Sequence, residues 1–305
     1  MIYPMNLMEF EKKFGTEESC RNYLFGLKYK DGYKCEKCGG SEYRIEENIV
    51  VRCKSCRNKY NLTAGTIFQD THKPLSMWFR AMWWITSQKN GTSALGLQKV
   101  LGIGSYKTAW TWLHKLRTAM VRPGRDKLKG TVEVDEAFIG GKQSGGKRGR
   151  GTGNKTLAAV AVEMDGKKIG RVRFGVISDA SAESLEGFIE KSVEKGSTVI
   201  TDGWRSYSRV KELGYNHIIS DKKHTEDDKM LPHVHLVISL LKRWIMGTLQ
   251  GSLSDQHTAY YLDEYTFRFN RRTSASRGKL FYRLMEQAAE IEPTIYRDIA
   301  GRKGA

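Results

Sequence analysis

Four of the five cysteines fall in two pairs, Cys35-Glu36-Lys37-Cys38 and Cys53-Lys54-Ser55-Cys56, with fourteen residues between them. Each C-x2-C turn aims two sulfurs at a common point, and two such turns complete a tetrahedral thiolate shell for zinc. Gly39 and Gly40 suit the first turn. The gap is slightly short for such sites, but Tyr43-Arg44-Ile45 and Ile49-Val50-Val51-Arg52 alternate like the arms of a hairpin that would span it. Cys35, Cys38, Cys53 and Cys56 are therefore expected to hold a structural Zn²⁺ in a zinc ribbon covering residues 1–70. Four sulfurs close the shell and leave no position for catalysis. Cys20 is left over and is expected to pack as a small apolar residue. Phe10, Phe14, Cys20, Tyr23 and Leu24 suggest a helical lead-in. Tyr60, Leu62, Thr63, Thr66, Ile67 and Phe68 suggest a last strand.

Paired cysteines in a chain of 305 residues do not read as a secreted disulfide framework. Met1 to Asn6 is not a basic end followed by an apolar block, and no apolar run approaches the roughly 18 residues of a membrane span. The expectation is a soluble cytoplasmic protein with no membrane partner.

The net charge of +17 is unevenly spread. Residues 71–130 hold 11 basic side chains and one acidic one. Such a segment faces a polyanion, because Lys and Arg release counterions from nucleic-acid phosphates. Within it, Leu75 to Ile85 reads as an aromatic-rich helix, and Ala94 to Leu101 as a second helix capped by Thr92 or Ser93. A turn at Gly102-Ile103-Gly104-Ser105 leads to a third helix, Tyr106 to Arg117. Two helices about a glycine turn fit a helix-turn-helix over residues 71–130. Ser105, Tyr106, Lys107 and Thr108 would reach base edges, and Lys115 and Arg117 are the further DNA-binding basic residues that the same helix carries. An ordinary helical hairpin is the alternative.

The third segment, 131–305, opens on Thr131-Val132-Glu133-Val134-Asp135-Glu136-Ala137-Phe138-Ile139. Alternation puts Glu133 and Asp135 on one face of this strand. The glycine-rich stretch from Gly140 to Lys155 has no acid and includes Lys147, Arg148 and Arg150, suited to DNA phosphates. Strands follow at Thr156–Val162 and Gly170–Ile177, joined by a turn at Asp165-Gly166. Ser181 can cap a helix through Leu185, Phe188 and Ile189. A fourth strand, Val199-Ile200-Thr201, ends at Asp202. If the first and fourth strands lie side by side, Asp135 and Asp202 meet, as in a ribonuclease-H-like arrangement. A later helix, His233 to Trp244, has no acid at all. His235 and Lys242 share a face seven residues apart, but spacing alone favours an ordinary satisfied imidazole.

Pro232 to Arg277 resembles the IS1595-type, ISXO2-like insertion-sequence transposases. The likeness is carried by His235, Ser239-Leu240-Leu241-Lys242-Arg243-Trp244, Gly247-Thr248, and Tyr261 to Arg272. Val132-Glu133-Val134-Asp135-Glu136, Thr201-Asp202-Gly203-Trp204 and the cysteine pairs match as well. The resemblance implies an α+β multidomain chain: zinc ribbon, helix-turn-helix, and a ribonuclease-H-like, DDE-type α/β domain with a mixed sheet. It implies Asp135 and Asp202 as catalytic acids. It implies His235 at a third position that varies among Glu, Asn and His, with Lys242 as the basic residue seven further on. Asp135, Asp202 and His235 would then bind Mg²⁺ or Mn²⁺, and Arg271 and Arg272 would contact the DNA backbone.

The expected activity is strand cleavage at insertion-sequence ends followed by strand transfer. The partners would be double-stranded DNA, as terminal inverted repeats and target, and further copies of the chain on a nucleoid-associated complex. Two other readings stand beside it: a non-catalytic zinc-ribbon DNA-binding regulator, and a nuclease that cuts but never joins.

Overall fold

Asn6 and Thr16 start the first two helices. Their side chains accept the amide N–H of Glu9 and Ser19, capping α1 (Leu7–Phe14) and α2 (Glu17–Lys28). This computed structural model describes residues 3–46, 49–140, 155–220, 230–251 and 253–301. The chain divides into two compact units, residues 1–122 with 274–299 and residues 123–273 with 300–305.

In the first unit, β1 (Tyr43–Ile45), β2 (Val50–Cys53) and β3 (Lys59–Asn61) form an antiparallel sheet in that order. The strand expected to continue past Tyr60 ends at Asn61. There the Asn61 Oδ1 accepts both the N–H and the hydroxyl of Thr63, at 2.9 and 2.7 Å, and turns the chain away. Helix α3 (Leu75–Ser87) follows Pro74 and has no side-chain cap of its own. The Glu17 carboxylate supplies one from α2, accepting from Leu75 N and Ser76 N at 2.7 and 2.9 Å. Ser93, rather than Thr92, caps α4 (Ala94–Leu101). Gly102, at φ 62°, ends it in the left-handed conformation that glycine takes at least cost. Helix α5 (Tyr106–Thr118) then begins after Ser105.

The second unit is built on a five-stranded sheet. Its strands are β4 (Thr131–Ile139), β5 (Thr156–Asp165), β6 (Lys168–Val176), β7 (Thr198–Thr201) and β8 (Asn216–Ile219), with α6 (Ala182–Ser192) before β7. The spatial order is β6-β5-β4-β7-β8. β6, β5 and β4 run antiparallel, whereas β4, β7 and β8 run parallel, so the sheet is mixed. The first and fourth strands of this unit are neighbours, with Thr131 beside Thr198 and Glu133 beside Ile200. Strand β8 has no counterpart in the sequence reading.

Both faces of the sheet are covered, which explains the unbroken apolar run Leu157–Val162. Val132, Val134, Ala159 and Ala161 pack with Leu185 and Ile189 of α6. On the other face, Ala137, Ile139, Val160 and Phe174 pack with α7 (Pro232–Leu249) and α8 (Asp255–Phe269). Alternation along β4 puts Glu133 and Asp135 on this second face, where a purely structural strand would carry apolar residues.

After α8 the chain returns to the first unit. Helix α9 (Arg277–Glu290) packs Phe281 against Phe10, Phe14 and Phe79, with ring centroids 5.3, 5.4 and 5.9 Å away. The sequence had grouped this helix with residues 131–305. A short helix, α10 (Tyr296–Gly301), follows it.

Candidate functional site

Glu133 fixes where α7 begins. Leu231, at its N-cap, is left-handed and offers no side-chain cap, and Pro232 takes the first turn. The buried Glu133 carboxylate does the capping from β4. One oxygen accepts the Val234 N–H at 2.8 Å, and the other lies 2.7 Å from His233 Nδ1. A carboxylate at a helix N-terminus also faces the positive end of the helix dipole. The next side chain on this face of β4, Asp135, then meets the same first turn of α7: His235 Nε2 lies 3.1 Å from Asp135 Oδ2.

Asp135 is largely enclosed, and burial is the main cause that pushes its carboxyl up to about 6. The Glu136 backbone N–H, 2.9 Å from Asp135 Oδ1, works against that shift. The charges of Glu136 and Asp202 add to it, and that of His235 opposes it.

Asp202 stands exposed just past β7. Its Oδ1 accepts the Trp204 N–H at 3.0 Å, which holds the carboxylate at the strand end. Gly203 (φ 78°) makes the sharp exit, and a Cβ there would meet Ile219 Cγ2 at 2.7 Å. Beneath it, Thr201 Oγ1 and His217 Nε2 are 2.9 Å apart. Tyr207 is fully buried and donates to Glu136 Oε2 at 2.8 Å. Burial, then Glu136, holds its hydroxyl protonated, well above the usual phenol range. Lys242 is exposed on α7, about 10 Å along the axis from His235. The alternation reading had already put Glu133 beside Asp135. The helix-capping role of Glu133, the contact of His233 and the buried Tyr207 escaped it, because each depends on a partner distant in the chain.

The four cysteines converge. Cys35 Sγ lies 3.6 Å from Cys56 Sγ, as does Cys38 Sγ from Cys53 Sγ. All four sulfurs lie within 4.8 Å of one another. A zinc–sulfur distance of about 2.3 Å gives tetrahedron edges of about 3.8 Å, so the cluster fits Zn²⁺. Backbone N–H groups, that of Cys56 above all, lower the Cys53 thiol, while its neighbour Cys38 is raised by the other sulfurs, as expected of thiols crowded together. Among the described residues this is the one group of three or more Cys, His, Asp or Glu side chains drawn so tightly together. The Asp135, Asp202 and His235 set is more open.

The residues expected to meet DNA divide sharply. Ser105, Tyr106 and Lys107 are exposed at the start of α5, and Thr108 is half-buried. Lys107 Nζ sits 4.0 Å from the centre of the Tyr296 ring. Lys115 is half-buried, and burial lowers its ammonium. Arg117 is only 2% exposed, one turn from Leu113 on the packed face of α5, so it does not present its charge to a phosphate. Arg271 stacks over Phe267, and Arg272 over Phe269. Arg272 also donates to the carbonyls of Gly170 and Ile169, so it ties α8 to the β5–β6 hairpin. Lys147, Arg148 and Arg150 lie outside the described residues.

Residues 127–270 match the ISXO2-like transposase domain and residues 15–59 the transposase zinc-ribbon domain, so the chain is of transposase type. It belongs to the IS1595 family of insertion-sequence transposases. A protein of Halobacterium salinarum, described as the uncharacterized protein in transposable element ISH50, is 25% identical over 283 residues, covering 84% of this chain and 94% of its own length. Among the described residues, no helix is long and apolar enough to cross a membrane.

Proposed function

We propose that this chain is a DDE-type DNA transposase whose catalytic centre is Asp135, Asp202 and His235, on a ribonuclease-H-like sheet. The observation that carries this is the contact of His235 with Asp135, on the strand that runs beside the one ending at Asp202. The strand order 3-2-1-4-5, with acids on the first and fourth strands, supports the ribonuclease-H-like reading.

The carboxylates suit Mg²⁺, and the imidazole suits Mn²⁺ better. Divalent ions held by Asp135, Asp202 and His235 would supply a water of lowered pKa and charge stabilisation at phosphorus. Asp135 keeps one oxygen on the Glu136 N–H and turns the other toward His235. Tyr207 keeps Glu136 from swinging away. Lys242, farther along α7, holds a phosphate beside the scissile bond. A water oxygen attacks phosphorus and loses its proton to solvent, while the P–O3′ bond breaks and the departing O3′ takes a proton from solvent to leave a 3′-hydroxyl. That hydroxyl then attacks a target phosphorus and releases a target 3′-hydroxyl.

The working divisions are the zinc ribbon (1–70), the helix-turn-helix (71–130), and the catalytic segment that opens at residue 131 and whose later helix α9 returns to the first unit. The first two hold the terminal inverted repeats, with Ser105 to Thr108 toward the bases and Lys115 near the backbone. Pairing two ends calls for a homo-oligomer on DNA, in the cytoplasm at the nucleoid. A strand-transfer assay with pre-cut element ends tests this. The native chain should join them to target DNA with Mg²⁺ or Mn²⁺, and Asp202→Ala should not. Cutting of intact ends without any joining of pre-cut ones would mean a nuclease instead.

A further inference from the structure

Arg173 of β6 points away from the face that carries Asp135. Its neighbours Val172 and Phe174 pack toward α7 and α8, so alternation turns Arg173 toward α6. There it lines a cavity of about 500 Å³ with three further basic residues, Arg125, Lys127 and Lys191, two acids, Asp126 and Glu183, and the Phe188 ring. The absence of a side chain at Gly175 lets the Phe188 ring lie against the strand, where a Cβ would come within 2.7 Å of it.

The charge in this cavity is unbalanced. Arg173 is only 6% exposed, and its guanidinium donates to two backbone carbonyls, Val172 at 3.1 Å and Asp126 at 2.8 Å. Carbonyls satisfy N–H groups but do not neutralise a cation. Among the described residues, no carboxylate lies within 4.0 Å of Arg173 or Arg125. By contrast, the nearby Arg171 is neutralised by Glu163 at 2.6 Å. Burial, and then the charges of Arg125 and Arg171, lower the Arg173 guanidinium to about 10. A buried cation whose nearest charged neighbours are mostly cations is costly unless an anion completes the site.

We propose that the Arg125–Arg173 cavity binds a phosphodiester of a DNA strand, on the sheet face opposite the catalytic centre. Guanidinium groups match phosphate oxygens in fork geometry. The open rim, with Lys127 and Lys191, admits a continuous backbone. The assignment rests on the DNA-binding reading above, and it adds a phosphate contact that the catalytic centre does not use.

The test uses the zinc-loaded full chain and fluorescence anisotropy of a labelled duplex over a series of salt concentrations. Arg125 is the residue to change, because it is half-buried, whereas Arg173 is enclosed and ties β6 to the Asp126 carbonyl. Arg125→Gln should weaken binding to element-end and unrelated duplexes alike, and should reduce the slope of log affinity against log salt by about one. Arg125→Glu should weaken it further, while the exposed control Lys211→Gln should leave the slope unchanged. Unaltered affinity and slope in both Arg125 variants would overturn the proposal while leaving DNA binding intact. A native chain that binds no duplex would sink the DNA reading and the proposal together. Melting curves with inorganic phosphate and a nucleoside monophosphate separate the sources. Stabilisation by the free anions that is lost in Arg125→Gln, with an unchanged DNA slope, would assign the cavity to a free phosphate and overturn the DNA assignment.

Discussion

Glu133 Oε2 accepts the Val234 N–H at 2.8 Å, so a carboxylate near the start of β4 starts the helix that carries His235. The same face of β4 thus sets the helix register with one acid and meets the helix with the next. Glu133 is a positioning residue: it is 4% exposed, and both its oxygens are engaged by α7.

Glu133→Ala should leave the Val234 N–H buried without its acceptor. The expected cost is about 1–3 kcal/mol of stability. Hydrogen exchange should speed up first in the opening turn of α7. DNA affinity should hold while metal-dependent cleavage falls. Unchanged exchange at Val234 would refute the capping role.

His235→Glu should change metal preference more than DNA affinity. A carboxylate in place of the imidazole gives a harder donor set, so activity should shift from Mn²⁺ toward Mg²⁺. The ratio of cleavage rates in the two metals is the measurement. An identical ratio in both proteins would remove His235 from the metal shell.

Removing zinc should unfold the ribbon. Four thiolates within 4.8 Å of one another have no other common partner, and structural zinc contributes on the order of 10–16 kcal/mol of apparent folding free energy in small sites. Cys53→Ser should lose about one bound zinc per chain, read by elemental analysis of the purified protein. Full zinc retention in that variant would contradict the four-cysteine shell.

His217 gives the fold a pH dependence. Burial lowers its imidazole below the ordinary 6.5. The unfolded chain therefore takes up its proton first as pH falls, and the native state binds fewer protons in that window. Stability from this group is fully present above 6.5 and declines as pH drops from there through the lowered native value. His217→Gln should flatten that part of a stability-against-pH curve. An identical acid limb in the variant would count against it.

Much of this was legible beforehand, for identifiable reasons. Cysteine spacing is local, so the ribbon could be read directly from it. Alternation along Thr131–Ile139 put Glu133 and Asp135 on one face, and that face is the one opposite α7. Strand β8 was not legible, because Asn216–Ile219 is a short edge strand with little burial and so lacks a two-residue pattern. The end of β3 depended on a single side-chain turn at Asn61. The return of α9 to the first unit depends on contacts of Phe281 with residues some 200 or more positions earlier. Arg117 was legible and misread: Ala109, Leu113 and Arg117 are spaced four apart, which puts the arginine on the apolar stripe of α5.

The most direct measurement is cleavage and joining of a labelled element-end duplex by the native chain and by Asp135→Ala, each with Mg²⁺ and with Mn²⁺. Metal-dependent joined product from the native chain, lost in Asp135→Ala while duplex binding persists, is the expected result. Equal product from both proteins, or tight binding of the true element end with neither cutting nor joining in either metal, would contradict a catalytic centre at Asp135, Asp202 and His235.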